Sequence, residues 1–366
     1  MPKFATTFAP GRVEVLGNHT DYNLGFVLSA AIHLGVTIES ARLDQDVVEV
    51  SSGTNGRSIK ARLDELIHRK EDSWANYPIG VIKTLIDAGY PIGGMHLDIS
   101  SNLPLGAGLS SSAALEVATA MAAKALFNLD IDQMSLAQLC QKAENNFVGV
   151  QCGLLDHASS AFGRAEELIL IDFREITVQT VPLPPDVALL LLNSGVPHEL
   201  TGGEYNERRK QCTEAAAALH VSALRDATPE MVRTSSLPEV VRRRALHITE
   251  ENDRVIKGAE ALRHGEVQLF GELMYASHRS SSINFENSTH NIDVLVALMK
   301  EIPGVYGSRI TGGGFGGSTV SLINPHHADE IVKTISKAYR DETGATCSAI
   351  LTEPADGARI IRSEGR

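Results

Sequence analysis

The spacing of apolar residues divides the chain into short strands and longer helices in both halves. Residues 25–40 (GFVLSAAIHLGVTIES) and 46–50 are rich in β-branched residues between polar breaks, which predicts strands. Residues 115–127 (LEVATAMAAKALF) are Ala-rich and free of Gly and Pro, the pattern of a buried helix, and 135–147 predict a second helix. The apolar run 187–192 (VALLLL) predicts a central strand that ends in a turn at Asn193-Ser194-Gly195. Pro182, Pro184 and Pro185 just before it mark a domain boundary, giving lobes 1–185 and 186–366. The second lobe opens with helices predicted over 204–219, 238–263 and 267–277. It closes with a strand at 318–323, a helix at 327–339 and strands near 347–351 and 358–361. The mixture predicts an α+β protein of two lobes, with neither repeats nor low-complexity tracts.

Composition narrows the function classes. The 366 residues are 43% hydrophobic and 21% charged, which excludes a disordered chain. Lys and Arg total 33 against 45 Asp and Glu, a net charge of −12. A broad basic surface for nucleic acid or anionic lipid is thereby excluded, whereas a local pocket for a small anion is not. Cys140, Cys152, Cys212 and Cys347 are scattered without a CxxC pair, so they are expected as small buried residues in a reducing compartment. No stretch approaches about 20 apolar residues, and the N-terminus has no signal-like apolar run. The expectation is a soluble cytoplasmic protein without membrane or nucleic-acid partners; the sequence leaves the oligomeric state open, with a monomer favoured.

Candidate chemistry lies in three glycine-rich stretches. The Walker pattern GxxxxGK[ST] is absent, and the GxGxxG at Gly312, Gly314 and Gly317 runs into STVSLI, a strand pattern where a dinucleotide fold needs a helix. Residues 103–114 (LPLGAGLSSSAA) lead straight into the Ala-rich helix. Glycines there let backbone N–H groups approach an anion, and three serines at a helix start add hydroxyls at the positive end of the dipole. A plain glycine turn with a Ser cap reads the same stretch equally well. Residues 9–23 (APGRVEVLGNHTDYN) pack polar side chains between glycine turns, and 309–318 (RITGGGFGGS) is the third stretch.

Together these stretches, in this order, make the chain resemble the GHMP kinase superfamily, and within it the galactokinases. The galactokinase signature GRxNxIGEHxDY is similar to residues 11–22 (GRVEVLGNHTDY), and the likeness continues at Trp74-Ala75-Asn76-Tyr77, residues 140–144 and 152–156, His198-Glu199-Leu200, Glu204-Tyr205, residues 208–212 and residues 277–280. The resemblance implies a two-lobed GHMP kinase fold, with an N-terminal lobe like domain 2 of ribosomal protein S5 and a ferredoxin-like C-terminal lobe. It implies phosphoryl transfer from MgATP to the C1 hydroxyl of a galactose-type sugar. In such transfers the protein mainly positions reactants and stabilises charge. By resemblance Asp156 is the catalytic carboxylate with Arg12 beside it. Asn18, His19, Asp21, Gly153 and Tyr205 fall at sugar-contact positions. Gly106, Gly108, Ser110, Ser111 and Ser112 form the nucleotide loop, with Trp74 and Tyr77 near adenine. Ser112 and Glu144 would hold Mg²⁺, Ser110 and Ser111 being alternatives for the hydroxyl.

The chain departs from this pattern in places. Asn18 stands where the family has Glu, Glu14 where it usually has Asn, and His157 where Gln is usual. On this reading recognition at the C6/C4 side of the sugar differs, and Asn18→Glu is expected to raise activity on galactose. Alternatives are a sugar-1-kinase preferring arabinose, fucose, galacturonate or N-acetylgalactosamine, a non-catalytic sugar and ATP sensor, or a GHMP kinase for an acyclic alcohol.

Overall fold

The computed structural model describes residues 2–53, 56–104, 106–195 and 203–364. The first lobe runs β1 (Phe4–Leu16), β2 (Phe26–Arg42), β3 (Val47–Ser52), β4 (Arg57–Arg62), α1 (Asn76–Asp87), β5 (Met95–Ser101), α2 (Ser111–Phe127), α3 (Gln133–Ala143), α4 (Leu155–Phe162), β6 (Glu167–Asp172) and β7 (Thr177–Pro182). Then follow β8 (Ala188–Asn193), α5 (Gly203–Ala218), α6 (Pro229–Thr234), α7 (Glu239–Arg263), α8 (Val267–Ser280), α9 (His290–Lys300), β9 (Val305–Thr311), β10 (Ser318–Ile323), α10 (Ala328–Thr343), β11 (Ser348–Thr352) and β12 (Arg359–Glu364). This is the α+β content expected.

Two sheets organise these elements. The larger has the order β12-β1-β2-β5-β3-β4, with β6 and β7 joined to the start of β2; the smaller has the order β11-β8-β10-β9. Among the described residues only β3 and β5 pair in parallel; β1 and β2 form a long antiparallel hairpin from Phe4↔Ala41 to Leu16↔Leu28. The sheet changes between β7 and β8, and the last strand, β12, returns to pair with β1. α2 lies on β1 and β2, and its alanines let it sit close, with Ala113, Ala114, Ala118 and Ala122 fully buried. One apolar core runs from Val13 and Leu16 of β1 through Val255, Phe270 and Met274 of α7 and α8 to Val320 and Leu322 of β10. The two sheets therefore share a continuous interior, which fixes the cleft between them.

Several expected elements shift at their ends. The helix expected from 115 starts at Ser111, because the serines supply its first turn. The helix expected over 135–147 gives way after Ala143 to a π turn, Glu144–Val148, and α8 likewise passes into a π turn at Ser281–Phe285. Such local widenings often mark functional positions. The larger correction concerns residues 9–16, read as glycine turns but forming the buried inner half of β1. Gly11 is there for space: a Cβ would lie 2.7 Å from both the Leu109 carbonyl oxygen and Leu103 Cδ2. The segment His198-Glu199-Leu200 lies outside the described residues.

Candidate active site

The cleft between the sheets has a volume of about 780 Å³ and is walled by β1, the loop before α2, the Gly149–Gly153 segment, Tyr205 and the glycine loop between β9 and β10. Gly106 and Gly108 take the left-handed backbone, with φ of 71° and 72°, turning that loop towards the cleft. Ser110 is also left-handed at φ 55°, an unfavourable conformation for a residue with a Cβ. Its hydroxyl gains a partner there, donating to Asp156 Oδ2 at 2.5 Å.

Asp156, in the first turn of α4, is the best-donated carboxylate facing the cleft. Arg12 Nε and Nη2 each lie 2.7 Å from Asp156 Oδ1, while Arg12 Nη1 donates to the Gly108 carbonyl at 2.8 Å. Burial pushes this carboxyl up. The Arg12 charge and the Ser110 and Arg12 hydrogen bonds outweigh it, so the group ends below the usual carboxylate range. Arg12, on β1, thus ties the glycine loop before α2 to Asp156 at the start of α4.

Ser112 and Glu144 lie together on the cleft wall, and against the effect of burial the Ser112 hydroxyl draws the Glu144 carboxyl down. Burial, the largest effect, raises the Glu144 carboxyl. A buried acid beside a hydroxyl, open to a cleft, suits a hard divalent cation that takes oxygen ligands and keeps its waters. Ser110 is engaged with Asp156, which leaves Ser112 better placed for such a role.

The other end of the cleft is aromatic and acidic. His19, at φ 62°, has Nε2 2.9 Å from the Gly313 carbonyl and Nδ1 2.9 Å from the Tyr22 hydroxyl. A carbonyl only accepts, so Nε2 carries the proton and Tyr22 donates to Nδ1. Burial lowers the imidazole to about 4, so it is neutral. Both ring nitrogens are occupied, and His19 shapes the wall by stacking near Tyr205 and Phe285, with centroids 5.2 and 4.6 Å away. Asp21 is pushed up to about 7, first by burial, then by the Glu14 and Asp156 charges; the Tyr22 N–H opposes this. Asp21 Oδ2 occupies the space a Cβ on Gly153 would need, which explains the glycine.

Asn18 differs from its expectation. It is fully buried, and its amide is saturated: Nδ2 donates to Glu14 Oε1 at 3.0 Å and to the Gly312 carbonyl at 2.7 Å, while Oδ1 accepts from Asn287 Nδ2 at 2.8 Å. Sequence reasoning missed its supports: Arg309 Nη2, 3.1 Å from Glu14 Oε1, and Glu251, which accepts the Gly17 and Asn18 backbone N–H groups at 2.9 and 3.2 Å. A charged residue inside the apolar strand β9 was the available signal for Arg309. Trp74 and Tyr77 do not reach the cleft wall; Trp74 packs against the main core with its indole N–H buried and unpartnered.

Three family models match this chain: "GHMP kinases N terminal domain" over residues 76–164, "GHMP kinases C terminal" over 259–341, and "Galactokinase galactose-binding signature" over 2–42. The galactokinase of Roseiflexus sp. (strain RS-1) is 40% identical over 365 residues, covering 98% of this chain and 93% of that one. The chain belongs to the galactokinase family. Among other galactokinases, that of Haemophilus influenzae (strain ATCC 51907 / DSM 11121 / KW20 / Rd) is 40% identical over 97% of this chain and 94% of its own. The crystal structure of Lactococcus lactis galactokinase complexed with galactose superposes with a TM-score of 0.93 at 32% identity, covering 97% of this chain and 95% of that one. The Methanococcus jannaschii mevalonate kinase shares the fold at a TM-score of 0.68 and 18% identity. Among the described residues of this galactokinase-family chain, no helix is long and apolar enough to cross a membrane.

Proposed function

We propose that the chain transfers the γ-phosphoryl group of ATP to the C1 hydroxyl of a galactose-type monosaccharide, giving the sugar 1-phosphate and ADP. The observation that carries this reading is the junction of Arg12, Asp156 and Ser110 at the mouth of the glycine loop. Asp156, held ionised, accepts a hydrogen bond from the C1 hydroxyl and aims its oxygen at phosphorus. A carboxylate so acidic is a weak base, so it takes the proton late, as the oxygen–phosphorus bond forms. Arg12, one bond away, offsets charge on the transferring group. Backbone N–H groups of the Gly106–Ser112 turn, with the start of α2, hold the phosphates. Ser112 and Glu144 hold Mg²⁺, which neutralises phosphate charge when bound. Asp21, Gly153 and Tyr205 face the sugar, with His19 setting the wall, and nucleotide and sugar meet in the cleft between the two sheets, the C-terminal β12 belonging to the larger. The setting is cytoplasmic.

Asn18, buried and saturated, leaves sugar choice at that corner to its neighbours, which favours testing beyond galactose. The test is coupled ADP release with MgATP over galactose, arabinose, fucose, galacturonate and N-acetylgalactosamine. Turnover on galactose is expected. ATP binding with no turnover on any sugar overturns the reading in favour of a sensor.

A further inference from the structure

One position past Asp156, His157 turns into the interior of the first lobe and is fully buried. Its Nε2 lies 2.6 Å from Glu116 Oε2 and 3.4 Å from Glu144 Oε2, and Glu144 Oε2 accepts the Cys152 thiol at 3.1 Å. One donor atom from each of Glu144, Cys152 and His157 lies within 4.8 Å of the other two. We propose that these three side chains form a binding site for a thiophilic divalent cation of the Zn²⁺ type.

The donor set is the first argument. Thiolate sulfur, imidazole nitrogen and one carboxylate oxygen make a Zn²⁺ set, whereas Mg²⁺ takes oxygen alone. With metal–ligand bonds of about 2.0–2.3 Å, a tetrahedral ion needs donor–donor edges of roughly 3.3–3.7 Å. The separations of 3.1 and 3.4 Å already fall near that range; to ligate, His157 Nε2 has to leave Glu116 Oε2, now 2.6 Å away, while the three donors already lie within 4.8 Å of one another. A second observation is unmet polarity: His157 Nδ1 and Glu116 Oε1 are buried without hydrogen-bond partners. Glu144 and Cys152 line the cleft, which gives the ion a route in.

On binding, a metal–sulfur bond forms as the Cys152 S–H bond breaks, and the proton leaves to solvent, so affinity rises with pH. His157 Nδ1 has no acceptor to orient the ring, which weakens the site by roughly 10- to 100-fold relative to one with an oriented imidazole. Because the ion would take Glu144, zinc excludes magnesium and stops turnover; that consequence rests on the proposed magnesium role of Glu144.

The test is titration of the metal-free full chain with Co²⁺ and Zn²⁺, following the cobalt–thiolate absorption and competition by zinc. One ion per chain is expected, with His157→Gln and Cys152→Ser each weakening binding by about tenfold or more. The thiolate band should vanish in Cys152→Ser. No binding at about 100 μM metal, or wild-type affinity in both variants, overturns the site. In turnover, zinc should inhibit the wild type reversibly and His157→Gln far less, with its MgATP activity kept. Zinc bound at full turnover upholds the site and removes Glu144 from the magnesium assignment. Failure on every sugar overturns only the proposed function, since the titration needs no turnover.

Discussion

Asp156 and Glu14 both line the same cleft, each with an arginine beside it, and end with opposite electrostatics. Asp156 meets Arg12 through two nitrogens at 2.7 Å and gains the Ser110 hydroxyl at 2.5 Å; together they overcome burial and hold it ionised. Glu14 meets Arg309 at 3.1 Å and Asn18 at 3.0 Å, yet burial dominates and its carboxyl is raised, with Glu251 adding repulsion. The Arg309 contact is a charge contact without an aligned hydrogen bond, since Nη2 and Nε of that side chain lack partners by geometry. An arginine nearby does not fix a carboxylate's state; convergent donors do. The well-donated pair faces the cleft, and the other lies against Asn18.

Asp156→Asn breaks the comparison most. It keeps size and packing while removing the charge, and kcat is expected to fall by about 10²- to 10⁴-fold, with sugar affinity and melting temperature close to wild type. Near-wild-type turnover in steady-state assays sinks the assignment.

Next is the bracing pair. The Glu14–Asn18 contact reverses the family's usual Asn and Glu at these positions, so the two residues act as an exchanged pair. Those hydrogen bonds point the other way from the expectation that Asn18→Glu raises activity on galactose. A Glu at 18 would set a carboxylate against Glu14 and the Gly312 carbonyl, where Nδ2 now donates. A loss of about 2–4 kcal/mol is expected for the single substitution. The double variant Glu14→Asn/Asn18→Glu should recover most of it. Chemical denaturation decides: equal stability of the single variant and the wild type refutes the pairing.

Asp21 is raised to about 7 from 3.8, first by burial. A folded-state value above the unfolded one means that the folded chain holds the proton more tightly. The resulting stability is fully present below 3.8 and is lost as pH rises through about 7. Ionised Asp21 accepts hydrogen bonds only, so KM for the sugar should fall by severalfold over the same rise. Asp21→Asn should flatten both profiles; an unchanged pH profile of KM in that variant counts against Asp21 as a sugar contact.

Much of this was legible because the relevant groups are local in sequence. The Ala-rich α2, the serines that start it and the strand at 318–323 follow from short-range pattern and appear where expected. The juxtaposition of Arg12 with Asp156 came only from family resemblance, because nothing within either segment points across the 144 residues between them. Residues 9–16 were misread for a physical reason. Glycine signals a turn by its freedom, yet Gly11 is needed in a strand for its missing side chain. Arg309, Glu251 and Asn287 escaped notice because each lies in an ordinary-looking element and acquires its role from Glu14, Gly17 and Asn18, more than 200 positions away.

Trp74 supplies the smallest effect and a baseline for the rest. The resemblance puts it near adenine, but the described cleft is walled without it and Tyr77. Its ring packs on the core, while its N–H is buried with no acceptor. Removing a polar atom that has no partner relieves a desolvation cost, whereas losing part of the ring gives up packing, and the two oppose each other. Trp74→Phe should therefore shift stability by no more than about 1 kcal/mol and KM for ATP by about twofold at most. Stacking on the base is worth about 1–3 kcal/mol for an aromatic side chain, so a tenfold rise in KM for ATP with unchanged melting would return Trp74 to the nucleotide site.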